Sequence, residues 1–282
     1  VQALVKGKID AVVIDNEPAK AFVDANDGLK ILETPYVEED YAMCFKKGNT
    51  ELEDKFNAAI KELKEDGTFD KIVGYYIDGT EEKGYESPAD VDHSNGKLVM
   101  ATNAAFEPFE YTKGEDYYGI DMEIASLLAE KLGKELVIEN MDFDAVCLSV
   151  SQQKCDIAMA GLTINEEREK YVTFTDSYYS ASQRLIVPSN DTAFDDCKSA
   201  DDVAAKLAEL KESDKIGVQQ GTTGQYYVEG SEEWDFPGLP AKCVTYKSGS
   251  LAVQDMLNGN INYVIIDAAP ASAITTAINE VQ

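Results

Sequence analysis

Strand-like and helix-like segments alternate without a break from residue 97 to residue 160, and this narrows the fold more than any other feature of the chain. KLVMAT (97–102) reads as a buried strand, DMEIASLLAEKLG (121–133) as an amphipathic helix stopped at Gly133, and ELVIEN (135–140) as a second strand. FDAVCLSVSQQK (143–154) then gives a helix and CDIAMA (155–160) a strand. Such a βαβαβ run predicts a mostly parallel sheet covered by helices. After the extended QRLIVPSN (183–190) a second series begins. It holds the helix SADDVAAKLAELKES, the strand KIGVQ, a glycine-bounded turn QGTTGQ, the strand KCVTY, the helix GSLAVQDMLNGN and the strand INYVII. Two α/β units joined by an extended crossover predict two lobes with a cleft between them.

The opening of the chain repeats its close. Sliding the sequence by 252 positions, Val1 onto Val253, gives 11 identities over 25 positions, and aligns DAVVIDNEPA (10–19) with NYVIIDAAPA (262–271). An offset this long is no solenoid period; it marks two copies of one domain segment. Between the copies run an extended LKILETP (29–35), a strand YAMCFKKGN (41–49) and two helices, TELEDKFNAAIKELKEDG (50–67) and TFDKIVGYYI (68–77). Residues 79–96 are charged, rich in breakers and without apolar period, which marks a linker. The expected organisation is therefore five pieces. Residues 1–28 are the end of a second lobe, 29–78 a return strand and C-terminal helices on a first lobe, and 79–96 the linker. Residues 97–186 are the first lobe, and 187–282 a second lobe ending after its last strand and helix.

Composition excludes several classes. Against 25 Lys and Arg stand 53 Asp and Glu, a net charge of -28 that repels nucleic acid and anionic headgroups and reads mostly as solvated surface. No run of about 18 apolar residues is present to span a membrane. The one histidine, His93, falls in the linker, and five cysteines show neither CxxC nor metal-ligand spacing, so neither a metal site nor a cofactor is expected. Cys197 and Cys243 are compatible with a disulfide in an oxidising compartment, with buried thiols as the equal alternative.

Ligands of two-lobed α/β proteins bind at the carboxyl ends of strands, which singles out four loops. In ATNAAFEPFEY (101–111), Phe106 can lie over a ligand's stem or cation, or simply close the core with Phe109 and Tyr111. In AMAGLTINEERE (158–169), Gly161 admits close backbone approach, Thr163 offers a hydroxyl, and Arg168 supplies a planar fork for a carboxylate, with a surface ion pair as the plain alternative. In VQQGTTGQYY (218–227), Thr222 and Thr223 precede a helix whose first N–H groups favour an anion. Asp267 closes the strand YVIID as Asp15 closes AVVID; each suits an ammonium or caps the following helix. Carboxylate grip, ammonium acceptor and aromatic rings together describe a free α-amino acid.

LVMATNAAFEPFEY, YYGIDMEIASLLAEKLG, DIAMAGLTINEERE, VTFTDSYY and GVQQGTTG resemble the extracytoplasmic solute-binding proteins of ABC transporters for polar amino acids. Residues 1–78 resemble the final third of the same family. The resemblance implies a two-lobed periplasmic-binding-protein-like fold of type II, each lobe a mostly parallel sheet flanked by helices, joined by hinge strands near 184–188 and 32–42. It implies that Phe106 and Phe143 sandwich the ligand side chain and that Arg168 binds its carboxylate, with Gly161 and Thr163 assisting. Thr222 and Thr223 would touch the same carboxylate and Asp267, or Asp15 from the other copy, the amino group. Asn103, where members for cationic ligands often carry an acid, and the variable Gln219 leave an uncharged polar amino acid slightly ahead of a basic one.

The implied role is non-catalytic delivery to the membrane subunits of an importer, from the periplasm or as a cell-surface lipoprotein. A receptor's sensing domain and, more remotely, a dehydratase on the same fold are the alternatives. The chain is either a window across two tandem copies or a circular permutant, in cis or as a segment-exchanged oligomer. In the permutant the two strand copies would compete for one slot. Asp267 is preferred over Asp15 because it shares an unbroken segment with the other site residues.

Overall fold

A computed structural model describes residues 12–15, 29–31, 34, 37–80, 83, 94–188, 192, 194–232, 235–249, 251–252, 255, 260–261 and 263–265. The chain divides into two compact units, one of residues 40–180 and one of 1–39 with 181–282. It passes from one to the other within strand β3 (Val37–Tyr41) and within β12 (Tyr179–Pro188).

The 40–180 unit is built on a five-stranded sheet. Its parallel half is β9 (Glu135–Asn140), β5 (Lys97–Thr102) and β10 (Ile157–Ala158), with Leu98 opposite Leu136 and Ile157 opposite Met100. β4 (Cys44–Lys46) and β11 (Val172–Phe174) extend it antiparallel, in the order β11-β4-β10-β5-β9. A small antiparallel meander, β6 (Ala105–Phe106), β7 (Glu110–Lys113) and β8 (Asp116–Tyr118), follows β5.

Helix α1 (Thr50–Glu65) starts where Asn49 accepts the Leu52 N–H and buries Phe56, Ile60 and Leu63, an i, i+4, i+7 stripe. α2 (Thr68–Tyr76) follows after Gly67 at φ +80°. α3 (Ile120–Lys131) is buried along most of its length and packs on α1, α2 and β9. It begins at Gly119, where a Cβ would stand 2.2 Å from the Phe109 carbonyl oxygen. α4 (Phe143–Ser151) lies on β4, β5 and β10, and the single-turn α5 (Glu166–Glu169) follows β10. The core between these elements includes Met43, Phe45, Phe56, Ile72, Met100, Ile120 and Ile124.

The other unit carries a seven-stranded sheet. β14 (Lys242–Tyr246), β13 (Lys215–Gln219), β15 (Tyr263–Ile265) and β1 (Val12–Asp15) run parallel, then β12 and β2 (Leu29–Ile31) antiparallel, with β3 also paired to β12. α6 (Ala200–Leu207) is closed at its start by a reciprocal Ser199–Asp202 capping box, and α7 (Thr223–Glu229) follows β13. Val203, Leu207, Ile216, Val218 and Val228 form the core, against which Cys197 and Cys243 pack as separate thiols.

The two repeated segments meet in this sheet. Rather than competing for one slot, the copies stand side by side, Val13 opposite Ile265, with β15 beside β13 and β1 beside β12.

Candidate ligand-binding site

In the 40–180 unit the loop between β10 and α5 brings five of the expected residues together. Leaving the sheet at Ala158, it runs against residues 40–42: Ala42 N–H donates to the Leu162 carbonyl at 3.0 Å and Ile164 N–H to that of Asp40 at 3.1 Å. Asn165 caps α5, its side chain accepting the Arg168 N–H at 2.9 Å. That cap sets the direction of the arginine. Arg168 Nη1 donates to the Thr163 carbonyl at 2.7 Å, the guanidinium lies over the Phe143 ring at 5.4 Å, and the residue is only 4% exposed. The guanidinium is thus held at one edge by a carbonyl and on one face by an aromatic ring.

Gly161 makes room for the other ring. Its φ is +52°, and a Cβ there would lie 2.7 Å from Phe106 Cε1, so the bare backbone is what lets Phe106 sit against the loop. Phe106 is itself 5% exposed and shares a cluster with Tyr41 and Phe109, centroids 6.4 and 6.1 Å away. It therefore closes the core and borders the loop at once. Asn103, just beyond β5, donates through Nδ2 to the Met141 carbonyl at 2.7 Å, tying the end of β5 to the stretch before Phe143.

Behind the loop stands a residue that the sequence reading passed over. Asp121, fully buried in the first turn of α3, accepts the Gly161 N–H at 3.0 Å on one oxygen and the Tyr178 hydroxyl at 2.8 Å on the other. Burial pushes its carboxyl up to about 6, against the opposing pull of the Gly161 N–H, the Tyr178 hydroxyl and Glu110. The Gly161 N–H is thus already committed to Asp121, and the glycine serves the loop through its shape. In the sequence Asp121 looks like an ordinary acid at a helix start. What sets it apart is its burial, within a run of buried residues from Ile120 to Ala125, which the sequence does not show.

In the other unit Gln219, Thr222 and Thr223 form one turn. Gln219, 5% exposed at the end of β13, reaches the Lys247 carbonyl with Nε2 at 3.4 Å. Its own carbonyl accepts the Thr222 hydroxyl at 2.8 Å, and Gly221 N–H donates to Gln225 Oε1 at 2.8 Å. Thr222 precedes α7 in an extended conformation without a capping bond from its side chain, and Thr223 is buried at the first helical position. Asp15 ends β1 opposite Gln183 in the backbone register. Asp267 lies outside the described residues.

Parallel strands with chemistry at their carboxyl ends, and a buried arginine aimed from one such end, define a class of small-ligand-binding α/β protein. Residues 98–261 match the bacterial extracellular solute-binding proteins, family 3, and the chain belongs to that family. It is 35% identical over 126 residues to the arginine-binding extracellular protein ArtP of Bacillus subtilis (strain 168), covering 45% of each chain. Identity to the histidine-binding periplasmic protein of Salmonella typhimurium is 28% over 177 residues, 62% of each chain. The chain thus spans about half to three fifths of these relatives' lengths. Among solved structures, the substrate binding protein of an amino acid ABC transporter is similar with a TM-score of 0.51 and 28% identity, over 65% of this chain and 75% of that one. The fold is that of the type II periplasmic binding proteins. No described helix is long and apolar enough to cross a membrane.

Proposed function

We propose that the chain binds a free polar L-amino acid and delivers it, without chemical change, to the membrane subunits of an ABC importer outside the cytoplasm. The observation that carries this reading is Arg168, a buried guanidinium fixed by the Thr163 carbonyl and the Phe143 ring. Such a fork grips a carboxylate in two parallel hydrogen bonds. Thr222 and Thr223 are the other unit's contribution to carboxylate recognition, and Asp267 or Asp15 takes the ammonium. Phe106, Phe143, Asn103 and Gln219 meet the side chain. The names of the relatives, arginine- and histidine-binding, support a polar amino acid and leave its charge open. An uncharged polar side chain fits Asn103 better than a cationic one, because an amide brings no negative charge to meet it. Anchoring as a cell-surface lipoprotein belongs to the same proposal.

A calorimetric and thermal-shift screen of the twenty amino acids tests it. A true ligand at a hundred times its dissociation constant stabilises the chain by about 2.7 kcal/mol. Silence across all twenty removes the amino-acid reading. Steady turnover of an added amino acid or cyclic acid would replace it with the dehydratase alternative.

A further inference from the structure

Cys44 and Cys147 come from distant parts of the sequence and meet in the core of the 40–180 unit. Their Sγ atoms are 3.8 Å apart, the Cys44 S–H donating to Cys147, and both thiols are buried. Cys44 stands at the start of β4, and Cys147 is on α4, which packs directly on that strand. We propose that Cys44 and Cys147 are a disulfide-forming pair, a covalent staple between the segment preceding the linker and the βαβαβ sheet that follows it.

Three features favour this pair over the other thiols. A disulfide brings its sulfurs to about 2 Å, and these two already stand in van der Waals contact at 3.8 Å. The pair is also electronically uneven. The hydrogen bond from Cys44 and the nearby Arg168 guanidinium lower the Cys147 thiol, whereas burial and the same hydrogen bond push Cys44 well up. In the folded packing Cys147 therefore has the greater thiolate character. Cys155, in the same cluster, is engaged instead with Ser149, and Cys197 and Cys243 belong to the other unit.

The oxidant is an external disulfide, of a small molecule or of a protein. One of the two cysteines, as its thiolate, attacks one of the oxidant's sulfurs, forming a mixed disulfide and releasing the first thiolate. The other, giving up its proton, then attacks the Sγ of that cysteine and releases the second. The protein loses two hydrogens and the oxidant becomes two thiols. Because both sulfurs are buried, exchange takes place while the lobe folds or opens locally. The proposal is independent of which ligand the chain binds.

The test uses the full chain: refolding with oxidised glutathione, blocking of remaining thiols with an alkylating agent, and peptide mapping by mass spectrometry without reductant. The expected product is a monomer in which the Cys44 and Cys147 peptides are joined, two hydrogens lighter than their sum. Closing a loop of 103 residues should raise the unfolding midpoint of the oxidised over the reduced chain by roughly 5–10 °C. In Cys147→Ser, refolded alike, the joined peptide and that midpoint difference should both vanish. Alkylation of both cysteines in the oxidised wild-type chain, or a Cys147–Cys155 link in place of the expected one, overturns the proposal.

Discussion

The two units hold their candidate ligand groups in opposite ways. In the 40–180 unit the candidate loop is anchored from far away in sequence: Gly161 by Asp121, 40 residues earlier, which is tied in turn to Tyr178, 57 residues on. In the other unit the turn at Gln219–Thr223 mixes short bonds, the Thr222 hydroxyl to the Gln219 carbonyl and the Gly221 N–H to Gln225, spans of three and four residues, with ties to the end of β14 and just beyond it, the Gln220 N–H to the Tyr246 carbonyl and Gln219 Nε2 to that of Lys247. A loop wired into a buried network is rigid and intolerant, since each lost partner leaves a buried polar group unsatisfied. The Thr222 hydroxyl bond spans three residues and can be lost while the ties to Tyr246 and Lys247 remain. The Arg168 side should therefore set affinity, and the threonine turn should adjust it.

The largest effect is expected from Arg168→Ala. Removing one partner of a desolvated charge pair costs about 2–5 kcal/mol, or roughly 30-fold to several thousand-fold in affinity. Calorimetry on the identified ligand checks this, and circular dichroism verifies that the fold survives. An unchanged dissociation constant would remove Arg168 from the site. Arg168→Lys, which keeps the charge and loses the fork, should fall between the alanine variant and wild type.

Asp121→Asn comes next, because it tests the anchor rather than the grip. Two donors point at Asp121, and an amide offers them one acceptor oxygen, so with the Gly161 N–H on Oδ1 the Nδ2 group faces the Tyr178 oxygen and the Tyr178 O–H loses its acceptor. The expected loss of affinity is about tenfold to a hundredfold, from about 1–3 kcal/mol per unsatisfied group. The pH dependence supplies an independent readout. The folded carboxyl, near 6, lies above its ordinary value of 3.8, so the folded chain binds this proton more tightly than the unfolded one. The stability it contributes is complete below about pH 4 and is lost as the pH rises through 6, at most about 3 kcal/mol. Urea titrations should show wild type losing stability against Asp121→Asn over that interval. Parallel curves would mean that the carboxyl does not titrate there.

The strand and helix pattern of the 40–180 unit was legible because each element obeys its own period. KLVMAT and ELVIEN became β5 and β9 with unchanged bounds, and the helices read at 121 and 143 begin at Ile120 and Phe143. Arg168 stood out as a scarce arginine beside a strand end. Asp121 did not, since what distinguishes it is burial by residues up to 57 positions away, which no local window contains. The repeat was visible in the letters, but its placement was not. Two near-identical strands have the same propensity for the same sheet, and only their neighbours, β13 for one and β12 for the other, separate them.

Gly161→Ala probes the junction between loop and ring. Alanine at φ +52° is strained by about 1–2 kcal/mol, and its methyl would press on Phe106. Displacement of the ring is the cheapest relief, so an affinity loss of about tenfold is expected, larger for ligands with long side chains than for short ones. A loss equal for all side chains would mean that Phe106 belongs to the core alone.

The smallest effect should come from the turn at Gln219–Thr223. Thr222→Val keeps the shape and removes the hydroxyl that donates to the Gln219 carbonyl. A single neutral hydrogen bond within the fold is worth about 0.5–1.5 kcal/mol, so the chain should lose about that much in a urea titration, and affinity should fall by no more than roughly twofold to tenfold. The comparison between the units turns on this result. If Thr222→Val weakened binding as much as Asp121→Asn, local wiring would be no more forgiving than long-range wiring. The turn would then rank with Arg168 as a primary determinant of carboxylate recognition rather than an adjuster of it.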